Sequence, residues 1–369
     1  MANKSFRKSQ LIAFDNVAAG HDGVLSDRSG VMIIKPCKQS EIDFYESTAA
    51  HPDILPFIPT YMGRLSLGAD SAQAAGALIL PGAGATEPDG QSRPGTATLP
   101  FVDHAWAPSN GGKIQTDLAV VLENVAAGYK RPNILDVKLG ARLWADDAPK
   151  EKKARLQRAA EETTSKSLGF RIDGMKTYQG SGAAKRMDVN SDGYRVFDKN
   201  YGRSFNAETV QQGFRDFFQL EKGVASKDKK DPIRKTIRRF LGSLEEMVQV
   251  LEKEESRMYS ASLLFVYEGN VEARGAAFPE ERRILDEIQS ARDRQSTFGN
   301  DAQVDHGPAS DEDDGAEYDS EGEIARLPCI QSVKLIDFAH AQWVPGSGPD
   351  ENILHGIRNV IQLMRGLIG

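Results

Sequence analysis

The chain has 369 residues, 40% of them hydrophobic and 27% charged, with a net charge of −7. That length allows two or three domains of ordinary composition. No apolar run approaches the roughly 20 residues that span a bilayer, the first 16 residues lack the apolar core of a secretory leader, and Cys37 and Cys329 stand too far apart in sequence to suggest a disulfide framework or a cysteine metal site. A helical membrane protein and a disulfide-stapled secreted domain are thereby excluded, and the nucleus and cytoplasm are the expected compartments.

The first third reads as strands and turns. Residues 31–36 form a short apolar run ending in Lys35-Pro36, after a Gly/Asp/Ser-rich stretch at 20–30. Residues 68–99 are rich in Ala, Gly and Pro and read as a long inserted loop. The apolar run 118–125 predicts a buried strand that leaves through Ala-Ala-Gly, which sets an N-terminal lobe at 1–125 and a C-terminal lobe at 126–369. In the second part, Asp147 reads as the cap of a helix with Pro149 in its first turn. That helix is expected over about 148–168, stopped by Gly169. A strand follows at 170–178. Asn206 reads as the cap of a helix carrying Val210, Phe214 and Phe217. The positions Ile233, Ile237, Phe240, Leu241, Leu244, Val248 and Leu251 give an amphipathic helix, and the last 17 residues give another. Strands are expected at 262–267 and 333–338. Between them, about 270–325 is polar and acid-rich; it reads as an insertion with a short helix at 280–292 and disorder at 310–323.

Charge is unevenly placed. Residues 301–323 hold ten acids and no Lys or Arg, so the remainder is net positive by three. Residues 129–187 hold 14 bases and 7 acids, a local field that attracts polyanions.

The most informative stretch is Pro132-Asn133-Ile134-Leu135-Asp136-Val137-Lys138-Leu139-Gly140. In a strand, residues two apart share a face, so Asp136 and Lys138 project together from an otherwise apolar element. Two buried charges are costly unless they pair or meet a ligand; these residues alone leave a structural ion pair and a binding site equally open. A second acid in an apolar run occurs in Leu335-Ile336-Asp337-Phe338-Ala339-His340. No GxxxxGK[ST] loop is present, which excludes a P-loop enzyme, and no HRD loop is present, which argues against a protein kinase.

Together the PxxxDxKxG run, Ser262-Leu263-Leu264 and Ile336-Asp337-Phe338 resemble the signatures of the inositol polyphosphate kinase family, in the family's order. The stretch from Gly169 to Lys176 and the acid-rich insertion are most similar to the fungal inositol polyphosphate multikinases. The resemblance implies an α+β, two-lobed fold of the ATP-grasp/protein-kinase-like type, with a small β-rich N-lobe and a larger α+β C-lobe. It implies ATP and Mg2+ as cofactors. Lys35 is then expected on the α/β-phosphates of ATP, Glu123 and Val125 at the hinge that meets adenine, and Asp136 on the ribose. Lys138 is expected at the transferring phosphate and the substrate, Asp337 on the metal, and Ser262 in support of it. The basic helix would offer Lys153, Arg155 and Arg158 to the phosphates of the inositol, and His340 would touch the same substrate.

The expected activity is phosphorylation of inositol tris- and tetrakisphosphates, with phosphoinositide lipid a further acceptor. The alternatives are an inositol hexakisphosphate kinase, a trisphosphate 3-kinase, and, from a different class, a transcription-complex adaptor working through the acidic segment. A monomer with no direct nucleic-acid binding is expected.

Overall fold

The computed structural model describes residues 11–14, 23–66, 116–180, 182, 187–220, 231–300 and 327–368, with side chains in 231–300 as far as 293; residues 5–6 and 76–77 are described as a short pair of strands. The rest of the 68–99 loop and the 310–323 acidic segment lie outside the described residues.

Two antiparallel five-stranded sheets form the frame. The N-terminal sheet has β1 (Leu11–Ala13), β2 (Leu25–Asp27), β3 (Met32–Pro36), β4 (Tyr61–Ser66) and β5 (Leu118–Glu123), in the order β1-β2-β3-β5-β4. Alternation is plain in β5. Val120 and Leu122 enter the main core, while Ala119 and Val121 join Ile34 and Leu65 on the other face. Helix α1 (Gln39–Ser47) follows β3.

The C-terminal sheet is built around β6 (Pro132–Leu139). On one side lie β7 (Phe170–Tyr178) and β8 (Tyr194–Phe197); on the other lie β10 (Ser262–Glu268) and β11 (Gln331–Ile336). The β7 strand matches the expected 170–178. A small sheet pairs β9 (Ser256–Met258) with β12 (Ala341–Trp343). Leu135, Val137 and Leu139 of β6 face the core together with α6 (Pro232–Leu251) and α8 (Glu351–Ile368), whose stripes match the expected helical spacing. Each such buried side chain contributes roughly 1.5–3 kcal/mol.

Several elements differ from expectation. The basic helix is two pieces, α2 (Lys150–Glu161) and α3 (Thr164–Leu168), because Thr163 turns extended and caps the second piece through its hydroxyl. Pro149, and not Asp147, stands at the cap position of α2. Asn206 caps a turn, accepting from the backbone N–H groups of Glu208 and Thr209, and helix α5 (Gln211–Phe217) begins only afterwards; the short α4 (Lys199–Arg203) precedes it. The polar stretch after β10 is a long helix, α7 (Val271–Asn300), instead of a short one at 280–292. It is held by a narrow stripe in which Ala277, Ile284 and Ile288 are buried.

Helix α1 packs against the C-terminal half of the chain. Phe44 lies 4.7 Å from Phe338 and 5.0 Å from Trp343 between ring centroids. Ser40 Oγ donates to the Ala339 carbonyl at 2.8 Å, and Trp343 Nε1 donates to Ser47 Oγ at 2.8 Å. Just beyond α1, the His51 ring stacks on Trp343 at 3.6 Å and its Nδ1 lies 2.7 Å from Glu254 Oε2.

The exit of β6 is fixed by backbone contact. Gly140 N–H donates to the Gly169 carbonyl at 2.7 Å, and Gly169 sits at φ +70°, where a side chain is strained. Gly356 of α8 lies so close that a Cβ there would overlap the same carbonyl oxygen. Gly356→Ala must therefore push α8 away from the base of β6. It is expected to cost about 2–4 kcal/mol, read as a lower midpoint in urea denaturation; an unchanged midpoint would show that the junction has room to give.

Candidate active site

Period-2 alternation puts Ile134, Asp136 and Lys138 on the face of β6 opposite Leu135, Val137 and Leu139. Lys138 stands directly opposite Ser262 of β10 in the strand register, and Ser262 is in turn opposite Ile336, the last residue of β11. Asp337, immediately after β11, adopts φ +69°, a left-handed conformation that Asp tolerates better than most residues.

The Asp337 carboxylate is shared between two lysines from different sheets. Lys35 of β3 donates to Oδ1 at 2.7 Å and Lys138 donates to Oδ2 at 3.0 Å. Lys138 also donates to the Ser260 carbonyl at 3.1 Å, and Lys35 to Glu41 Oε1 of α1 at 2.8 Å. Burial alone would raise the Asp337 carboxyl; the two ammonium groups outweigh it and hold the group far below the usual carboxylate range. Burial would likewise lower both lysines, and Asp337 reverses this, aided by Glu41 at Lys35 and by Asp136 at Lys138. All three groups are charged at neutral pH.

Asp136 is different. It is 4% exposed, and among the described residues neither its Oδ1 nor the buried Ser262 hydroxyl makes a hydrogen bond of full geometry, although the hydroxyl lies near enough to favour the ionised carboxyl. Burial is the main cause that pushes the Asp136 carboxyl up to about 7; Lys138 draws it back, while Asp173 and Asp337 add repulsion. Asp173 is the extra residue of a β-bulge in β7, where Asp136 faces Gly174 but Val137 faces Ile172. Asp136 and Lys138 therefore share a face as expected, yet the lysine's hydrogen bonds go to Asp337 and Ser260.

At the junction between the sheets, Glu123 ends β5 and its side chain accepts from the Thr60 hydroxyl and lies 3.8 Å from Lys334 Nζ. Val125 follows within a turn organised by Asn124, whose side chain donates to the Gly30 carbonyl at 2.7 Å and accepts from Ala126 N–H at 3.0 Å.

Beyond Asp337, His340 Nε2 lies 3.0 Å from Lys152 Nζ of α2. Burial, then Lys152 and Lys38, push the imidazole down to about 4, so it is neutral and can accept from the lysine. Burial and Lys38 lower Lys152 as well. Lys153 instead donates to the Asp146 carbonyl at 2.7 Å, and Arg155 and Arg158 lie on the exposed side of the helix. Lys176 is buried, 4.7 Å from the Tyr194 ring.

The structure thus brings Lys35, Lys138 and Asp337 into direct contact, with Asp136 and Ser262 on the Lys138 face of the C-terminal sheet, and sets His340 against Lys152. It leaves Arg155 and Arg158 exposed on α2 and turns Lys153 toward its own loop. Glu41, Asn124, Lys152 and Asp173 were not among the site residues expected from sequence. Lys152 is legible as one of the basic residues of the 148–168 helix, and Glu41 as an acid in the first turn of the helix that follows Lys35.

Among the described residues no three His, Cys, Asp or Glu cluster as a metal cage. A hard cation that takes one carboxylate, with phosphate oxygens and water completing its shell, fits Asp337.

A family model described as inositol polyphosphate kinase matches residues 119–365. The chain is 33% identical to the inositol polyphosphate multikinase of Saccharomyces cerevisiae, over 95% of this chain and 96% of that protein. The chain belongs to the inositol polyphosphate kinase family. It is 30% identical, over the same shares, to the multikinase of Schizosaccharomyces pombe, and 31% identical to human inositol hexakisphosphate kinase 1 over 66% of this chain and 51% of that protein. The solved structure of the S. cerevisiae multikinase in complex with ADP and Mn2+ superposes with a TM-score of 0.57 at 25% identity, covering 92% of this chain and all of the other. This supports the two-lobed kinase-like fold.

Because Asp136 is raised above its ordinary 3.8 in the folded protein, the folded state binds that proton more tightly than the unfolded chain. Its contribution is fully present below the unfolded value and is lost as pH rises through about 7. Asp136→Asn should therefore gain on the order of 1–3 kcal/mol at pH 8 relative to the parent, and little at pH 4. Thermal melts at the two pH values check this; a variant destabilised equally at both would show that the carboxylate is held by bonds the amide cannot replace.

Proposed function

We propose that the chain is an inositol polyphosphate multikinase that transfers the γ-phosphoryl group of ATP to hydroxyls of inositol tris- and tetrakisphosphates, with Mg2+ as the working metal. The observation that carries this reading is the Lys35–Asp337–Lys138 bridge between the two sheets, with the neutral His340 three residues along and the basic α2 beside it. Two ammonium groups fixed beside a metal-binding carboxylate are what phosphoryl transfer needs, since its transition state carries charge on the equatorial phosphate oxygens.

In this reading Lys35, braced by Glu41, neutralises the non-transferred phosphates. Lys138 moves from Asp337 to the transferring group, where its charge is most useful in the transition state. Asp337, released from both lysines, would hold the metal, which when bound would supply Lewis-acid stabilisation of phosphate charge. The backbone at Glu123 and Val125 meets the adenine edge, and Asp136 the ribose. His340 and Lys152 contact the acceptor, with Arg155 and Arg158 at the mouth of its pocket as a phosphate-attracting rim. The reading extends to nuclear and cytoplasmic residence and to transcription-complex partners engaged through the acidic segment. A hexakisphosphate kinase is the second reading, favoured by the human relative.

The product profile decides between them. Purified chain with ATP and Mg2+ should convert inositol trisphosphate stepwise to tetrakis- and pentakisphosphate; exclusive use of the hexakisphosphate would replace the first reading with the second. Asp337→Asn should lose at least about 100-fold in kcat, roughly 3 kcal/mol of transition-state stabilisation, with the left-handed backbone tolerated by Asn. Near-parental turnover at saturating Mg2+ would remove Asp337 from the metal. Lys138→Ala should lower kcat more than it raises the KM for ATP; an effect confined to that KM would make Lys138 a ground-state contact.

A further inference from the structure

A cleft of about 440 Å3 lies between α6 and α7 and shares no residue with the site around Asp337. Its wall on α6 is basic. The first eight residues of that helix include Arg234, Lys235, Arg238 and Arg239, and no acid occurs in it before Glu245. The macrodipole opposes cations in a first helical turn, so Arg234 and Lys235 are placed against the helix's own stability. The cleft lining includes Lys235, Arg238 and Arg239 of this set, and α7 adds Arg282.

The lining also includes an aromatic ring, Phe278. Lys235 Nζ lies 5.4 Å and the Arg239 guanidinium carbon 5.1 Å from the centre of the Phe278 ring. Arg239 is also forked onto Glu281, which ties the two helices together and keeps the cleft's width. At the rim, Leu285 is 45% exposed.

We propose that this cleft docks an acidic peptide segment of a partner protein, one with an apolar side chain set among its acids. A small inorganic anion would use the cations and leave Phe278 and Leu285 unused. A nucleic-acid backbone would bring a phosphate at every step past Glu281 and Asp286, which also line the cleft. A peptide can alternate, setting acids against Lys235 and Arg282 and its apolar side chain against Phe278. That is a groove read by charge with an apolar anchor.

The test uses the full chain and a fluorescein-labelled peptide of glutamates and aspartates around a central leucine, followed by anisotropy. Saturable binding is expected, weaker at high salt and at least about 10-fold weaker in Lys235→Glu/Arg282→Glu and in Phe278→Ala. Both variants are expected to keep the parent's kinase turnover and melting temperature. The proposal is overturned if the parent does not bind, if both variants bind like the parent, or if a peptide with glutamate in place of leucine binds equally well. Displacement by a short DNA duplex more readily than by unlabelled peptide would assign the cleft to nucleic acid. Binding that appears only once residues 310–323 are deleted would assign it to the chain's own acidic segment.

Discussion

One carboxylate holds the two halves of this kinase in register. Asp337 accepts from Lys35 of the N-terminal sheet and from Lys138 of the C-terminal sheet, so the lobes meet through a charge triplet at the centre of the site. Removing one member of such a buried group leaves the others uncompensated, which costs more than the intact arrangement contributes. Glu41 on Lys35 adds the second acid that balances the two lysines, so the cluster carries no net charge of its own. Charged groups held by fixed partners in this way are preorganised.

The cost appears beside the triplet. Among the described residues Asp136 Oδ1 and the Ser262 hydroxyl are buried with no hydrogen bond of full geometry, and the bulge at Asp173 adds a further acid nearby. Native cores rarely leave such groups unpaired. On the sheet face that carries Asp136, Lys138 and Ser262 polar groups are thus incompletely satisfied, and stability is recovered from the Leu135, Val137 and Leu139 side.

The sheet and its chemistry were legible where local pattern and tertiary fate agree. The apolar runs at 132–139 and 170–178 are strands because both faces are buried, and the α6 and α8 stripes are helical because one face is. The family motifs supplied the roles that spacing alone left open at Asp136 and Lys138. What escaped notice depends on contacts that no window of sequence contains. His340 and Lys152 lie 188 residues apart in sequence and still meet at 3.0 Å. Helix α7 is longer than the span 280–292 that composition predicts, because its buried stripe is thin and most of its residues are polar. The basic span 148–168 is one helix by composition and two in the fold, because Thr163 caps a new start inside it.

Helix α1 belongs by chain order to the N-terminal half, but its aromatic and hydrogen-bonded contacts with Phe338, Ala339 and Trp343 tie it to the other half. The same helix also stacks Tyr45 on Tyr61 of the N-terminal sheet at 5.7 Å, and Glu41 takes the Lys35 ammonium of β3 at 2.8 Å. It is therefore a wedge gripped from both sides: neither sheet can shift against the other without disturbing packing that this one short helix shares with both.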